Sequence, residues 1–344
     1  MQVRSLAFAI ACVLSSSTAR AAGKSTVASS SIDTLADQLA GEYVWQQTAR
    51  LARSGERDSL IAAALIAIPN VNEPEPEHHD DIVQRLVSNF PADPLALYAA
   101  ALVCHSQARE CKTPELQSKL LEVEPDNALN YLLSPNGKQP SLERLHQAAS
   151  ASRADSHFSS LLGIVRAALA GQPAPAATGR KVNEKELALQ LRRNEVSFVP
   201  WPKIGPTMGL CNADLATRAD QSAVQADCSK LGRLLFADQS NNLVTRMFGV
   251  TLLRRFAKGS PDAAEALAMR RQYVWLSELP DATQSAELER LQDEEVALGE
   301  WEAYQRHGER QGVTRAPPAD WVPKNPESIL LPEERAPKPA PRKS

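Results

Sequence analysis

The sequence predicts an all-α protein: antiparallel helical hairpins stacked as a short α-solenoid, then a second helical half and a disordered, proline-rich C-terminal tail. Three observations predict it. Strand signals are nearly absent, with no run of alternating Val, Ile, Thr and Tyr and a lone Asn136-Gly137 as hairpin-turn dipeptide. Hydrophobic residues make up 43% of the chain but aromatics only 5%, so alanine and leucine must pack the core, which suits closely approaching helices. Helix-opening signals also recur, at Asp58-Ser59-Leu60, Asp93-Pro94-Leu95, Asp126-Asn127-Ala128-Leu129 and Asp155-Ser156-His157-Phe158. An Asp, Asn or Ser at each can cap orphan backbone amides, and Pro94 suits a first helical position.

The N-terminus is read first. Arg4, an apolar run from Leu6 to Leu14 and the small residues ending at Ala21 have the layout of a secretory signal peptide, with cleavage expected near Ala21. The apolar run is too short to span a bilayer, and no other stretch is long and apolar enough. Cys12 lacks the leucine that usually precedes a lipidated cysteine. The expected location is therefore periplasmic or secreted. Removing residues 1–21 takes away Arg4 and Arg20 and no acid, which lowers the formal charge of -3 by two, to -5. That mild acidity gives no electrostatic reason to expect nucleic acid or an anionic membrane as partner.

Four cysteines remain after cleavage: Cys104, Cys111, Cys211 and Cys228. An even number in an exported chain points to disulfides, and three connectivities are possible. The favoured pairs are local, Cys104 with Cys111 and Cys211 with Cys228, each joining the end of one helix to the next.

Residues 22–31 are small and polar and read as a disordered leader. From Ile32 to about Arg53 the apolar spacing predicts a helix or helix pair, broken by Ser54-Gly55. The Asp-led openings are followed by partner helices over Asp80–Ser88, Pro114–Leu121 and Leu142–Ser150. A helix-turn-helix unit repeating every 29 to 35 residues is the pattern of a solenoid. Leu121-Glu122-Val123-Glu124-Pro125-Asp126-Asn127-Ala128, followed by Tyr131-Leu132, resembles the junction between two tetratricopeptide repeats. Pro91-Ala92-Asp93-Pro94 resembles the same junction 34 residues earlier. The likeness covers about residues 56–170. It implies helical hairpins that bind protein or peptide, and the chain as a whole is similar to uncharacterised exported tetratricopeptide-like proteins of Gram-negative bacteria.

The repeat domain is thus placed at 32–170. A linker follows at 171–183, marked by Gly171-Gln-Pro-Ala-Pro-Ala-Ala-Thr-Gly179, and a second helical region at 184–312. In that region helices are predicted over Glu184–Val196, Ala223–Phe236, Asn241–Phe256, Asp262–Ser277 and, as one long helix, Ser285–His307. Pro200-Trp201-Pro202 reads as a rigid turn. From 313 to 344 the chain reads as a disordered tail, since 8 of the 24 prolines fall in its last 29 residues. Trp321 and Ile329-Leu330-Leu331 are its apolar anchors, able to dock on the helical body or on a partner.

No catalytic constellation is legible. His78-His79-Asp80-Asp81 is the densest set of metal-ligand types, but adjacent residues on a helix point apart, and an acidic helix start is the simpler reading. Glu327-Ser328 has the look of a lytic-transglycosylase acid, yet it lies in a proline-rich tail where burial is not expected. His105, His146, His157 and His307 each read as isolated. The pairs Arg192-Arg193, Arg254-Arg255 and Arg270-Arg271 read as solvated, although Arg270-Arg271 near Trp275 are candidates for a cationic aromatic binding patch. No cofactor is implied. The expected function is a non-enzymatic interaction scaffold of the cell envelope, binding a protein or peptide partner or the chain's own C-terminal tail. The alternative is an envelope hydrolase acting on peptidoglycan, with two carboxylates brought together in one cleft.

Overall fold

Leu60–Ile66 is apolar at every position, which no surface helix tolerates, and Ala96–Cys104 is nearly so. The computed structural model buries both stretches completely or almost completely. It describes residues 31–67, 79–106, 113–133, 140–172, 191, 195–202, 204–279 and 285–335. These residues form α-helices α1 (Ser31–Ser54), α2 (Arg57–Ile66), α3 (His79–Asn89), α4 (Pro94–Ser106), α5 (Thr113–Val123), α6 (Ala128–Leu132), α7 (Leu142–Ser150) and α8 (Phe158–Leu169). The second half adds α9 (Gly205–Leu210), α10 (Ala213–Ala216), α11 (Ser222–Phe236), α12 (Leu243–Phe256), α13 (Pro261–Ser277), α14 (Ser285–Leu298) and α15 (Glu300–Arg310). The fold is all-α; among the described residues the sole β-type pairing is an isolated bridge between Asn127 and Arg153.

In the first half α2 packs against α1, α3, α4 and α8, and the chain then steps through α4–α5, α5–α6 and α6–α7. The return of α8 to α2 joins elements far apart in sequence, a contact that an open array of nearest neighbours does not make. α7 packs on α11 and α8 on α14, so one buried cluster runs from Leu39 through Phe158 to Leu252. A smaller cluster, with Leu243, Met269, Tyr273 and Trp301, lies under α12, α13 and α15.

Two of the four expected openings cap as read: Asp93 Oδ1 accepts the Ala96 amide at 2.8 Å, and Asn127 caps α6. Asp58 instead lies inside the first turn of α2 and pairs with Arg57. At the fourth opening the cap position is His157, in left-handed backbone at φ 52°, without a side-chain cap. Asp155 Oδ1 accepts the His157 amide at 2.9 Å, so the aspartate shapes the turn before the helix rather than its first turn. Ser141, Asn242 and Ser260 cap α7, α12 and α13.

The single helix expected over Ser285–His307 is two, α14 and α15, because Gly299 adopts φ 82° and turns the chain. A Cβ there would lie 2.3 Å from the Ser240 carbonyl oxygen, so only glycine fits. Gly249 plays a similar part at the α11–α12 crossing, where an added Cβ would stand 2.3 Å from the Phe236 amide nitrogen.

Cys211 and Cys228 are disulfide-bonded, with their Cα atoms 5.8 Å apart, which ties the end of α9 to α11. Cys104 is disulfide-bonded as well, while Cys111 lies outside the described residues. So do residues 1–30, nearly all of the 171–183 linker and Arg192-Arg193. Among the described residues no helix is long and apolar enough to cross a membrane.

The tail expected to be disordered from 313 instead lies on the second helical half as far as residue 335. It forms 3-10 turns at Pro326–Ser328 and Pro332–Glu334 and buries Pro323 and Leu331. What proline content could not reveal is that helical side chains supply the hydrogen-bond donors that an extended backbone needs.

Candidate functional site

An extended segment leaves its carbonyl oxygens unpaired unless something else donates to them. Here the donors are arginines and a tryptophan on α12 and α13. Arg270 donates through both Nε (2.8 Å) and Nη2 (2.5 Å) to the Ser328 carbonyl, and Arg254 Nη1 donates to the Ile329 carbonyl at 2.5 Å. Arg271 Nη2 reaches the Trp321 carbonyl at 3.4 Å while its guanidinium stacks over the Trp321 ring. Trp275 Nε1 donates to the Thr314 carbonyl at 2.9 Å and meets Trp321 edge to face. In the other direction, Glu278 on the end of α13 accepts the Lys324 amide at 2.7 Å.

Charge complements these contacts. Arg255 makes a two-pronged ion pair with Glu333, Nε to Oε1 at 2.7 Å and Nη2 to Oε2 at 2.9 Å, and also donates to the Cys211 carbonyl. Arg254 pairs with Glu334 at 2.8 Å. Burial alone would raise the Glu333 pKa, but Arg255 outweighs it and holds the carboxyl below the ordinary range. Arg270 keeps no carboxylate partner among the described residues, and burial, together with Arg254 and Arg335 nearby, pushes its pKa down. The site is a basic, aromatic groove filled by an extended, proline-rich segment, two of whose four acids, Glu333 and Glu334, pair with groove arginines.

The candidate patch of Arg270, Arg271 and Trp275 is brought together, and all three side chains hold the tail. Arg254 and Arg255, expected on a solvated face, are half-buried or buried and hold it too. The local signal for them was their position in the last turn of α12, where cations are favoured, but their acidic partners lie nearly eighty residues away. Of the metal-ligand candidates, Asp80 and Asp81 are exposed in the first turn of α3, His79 begins that helix and His78 lies outside the described residues. No group of three or more potential metal ligands occurs among the described residues.

A second polar assembly sits where the two halves meet. Glu124, 4% exposed, takes His157 Nε2 at 3.0 Å, Arg153 Nη2 at 2.5 Å, Asn130 Nδ2 at 2.8 Å and Asn127 Nδ2 at 3.2 Å. Burial opposes its charge, yet these partners hold its pKa at about 2. Asp238, 2% exposed, accepts the Ser156 amide and hydroxyl and the Asn242 amide, and burial raises its pKa to about 6. Glu300 accepts from Asn242 Nδ2 and the Leu243 amide at the start of α12; burial raises it to about 7. Glu295, with Oε2 buried and unbonded, is raised by burial to about 8, and nearby Glu300 adds to the rise. Three of the four histidines expected to be isolated have carboxylate partners: His157 with Glu124, His146 with Asp227 at 3.0 Å and His307 with Glu287 at 2.9 Å, while His105 is buried in α4.

A cleft of about 360 Å³ opens between α12, α13, α15 and the first residues of the tail. Its single acidic lining residue is Glu265; Asp238, Glu295 and Glu300 do not line it. The paired carboxylates required by the hydrolase alternative therefore do not face this cleft. Compared with known proteins, the chain matches no family model, no curated protein and no solved structure.

Proposed function

We propose that the chain is a non-enzymatic, exported helical scaffold of the cell envelope that binds an extended peptide or protein segment in the α12–α13 groove, with its own residues 313–335 as the resident occupant. The observation that carries this reading is the way the groove holds the tail. Arg254, Arg270, Arg271 and Trp275 all donate to main-chain carbonyls, so they would accept another extended chain of different sequence. Specificity would come from Arg254 and Arg255, which favour adjacent acids, and from the seats of Trp321 and Leu331. In this reading residues 1–21 direct export, and the α2–α3 and α4–α5 hairpins are degenerate tetratricopeptide-like repeats that end where α8 returns to α2.

An external partner must displace or replace the tail. A bait lacking residues 316–344 is therefore expected to capture from periplasmic extract a partner that the full chain captures more weakly. Addition of a synthetic 313–335 peptide should release that partner. Baits that stay free of specific protein in both forms would contradict the proposal.

A further inference from the structure

We propose that the cleft between α12, α13, α15 and the start of the tail is a separate ligand site, and that it takes a small organic monocarboxylate with an apolar body. The argument begins with charge. Arg246 and Arg271 line the cleft, and neither has a carboxylate within ion-pair distance among the described residues. Arg246 Nη1 donates to Asn241 Oδ1 at 2.6 Å and the guanidinium lies over the Phe236 ring, but its Nε is buried without a hydrogen-bond partner. That nitrogen is enclosed by protein, so a carboxylate in the cleft would meet the charge of the guanidinium rather than this donor. Burial lowers the Arg246 pKa despite the opposing pull of the Asp238 and Glu265 carboxylates, which stand beyond ion-pair distance. Arg315, the third arginine on the cleft, is already committed to Glu302 and Glu309.

The rest of the lining sets the ligand's body. Phe236, Met269, Trp301 and Pro317 present an apolar surface, which favours an organic acid over a fully hydrated inorganic anion. Glu265 on the same lining disfavours a second negative charge, and the volume of about 360 Å³ lies at the small end of ligand sites. Because Ala316 and Pro317 form part of the wall, a bound ligand stabilises the docked start of the tail by mass action.

The test is calorimetric titration of the full mature chain with phenylacetate, with phenylacetamide as its uncharged counterpart and inorganic phosphate as a bare anion. Phenylacetate is expected to bind with a Kd of roughly 0.1–1 mM, as suits a ligand of this size, and phenylacetamide at least about tenfold more weakly. Arg246→Gln and Arg271→Gln should each weaken phenylacetate by about tenfold or more, while Arg246→Lys, which keeps the charge, retains part of the affinity. Thermal melts identify any variant that has lost its fold, and the wild-type comparison of acid with amide stands without variants. Equal binding of acid and amide, phosphate binding as tight as phenylacetate, no heat with phenylacetate, or a folded Arg246→Gln chain of unchanged affinity would each overturn the proposal.

Discussion

Replacing Glu124 by alanine is expected to cost about 3–5 kcal/mol, among the largest losses that one polar substitution can produce in this chain. The carboxylate is the shared acceptor for Arg153, His157, Asn130 and Asn127, and all four donors would be left facing a hole. The damage also spreads along the chain. Arg153 pairs through its backbone with Asp126 and Ala128, and His157 begins α8 against the fully buried Tyr98 ring. Glu124→Gln keeps the shape but loses the charge, and should cost roughly half as much. Urea denaturation with the disulfides intact measures both. The pH sign follows from the two pKa directions. Glu124 is lowered to about 2, so its stabilisation is present above about pH 4.5 and is lost as pH falls toward 2. His157 is raised: burial opposes its charge, but Glu124 and Asp155 outweigh it. Its contribution is complete below about pH 6.5 and is lost as pH rises through the folded value.

The second large effect runs the other way. Asp238, Glu300 and Glu295 hold protons in the native state at about 6, 7 and 8, whereas in the unfolded chain they ionise near pH 4. Between those values the native state binds more protons than the unfolded chain, so stability falls as pH rises from about 4.5 to 8. One pKa unit is worth about 1.4 kcal/mol, so the three together remove several kcal/mol across that range. Glu295→Gln is expected to flatten the upper part of this fall and to gain about 2 kcal/mol over the parent at pH 8.5, with little difference at pH 4.5. A pH series of urea melts reads this directly. A parent chain whose stability is level from pH 4.5 to 8 would show that the three groups ionise freely in the folded protein.

Local chemistry made much of the architecture legible. Asp93-Pro94 placed the start of α4 and Asp126-Asn127 that of α6, because a cap and its helix are neighbours in sequence. The Cys211–Cys228 bond was legible for the same reason. What sequence concealed was set across distance. Gly299 looked like one more residue in a long amphipathic helix, and only the nearness of Ser240 explains the break. Glu124 appeared as part of a repeat junction, whereas its function as an acceptor depends on His157 and Arg153, about thirty residues later. The candidate patch at Arg270, Arg271 and Trp275 was visible as a run on one helix. Its occupant was legible only as one candidate among several, through the apolar anchors Trp321 and Ile329-Leu330-Leu331, because composition alone makes a proline-rich tail look free and nothing near residue 333 reveals a waiting Arg255.

The most direct test of the tail-filled groove is exchange of the tail itself. A protease site inserted directly after Gly312, which is itself kept because its φ of 76° suits glycine, allows the folded full chain to be cut after it has formed. The cut tail is expected to stay bound through gel filtration at low salt. It should then exchange with a labelled 313–335 peptide, and Arg255→Glu should release it by removing the pair with Glu333. A cut tail that leaves at once, or a labelled peptide that binds the parent and Arg255→Glu chains equally, would contradict the account.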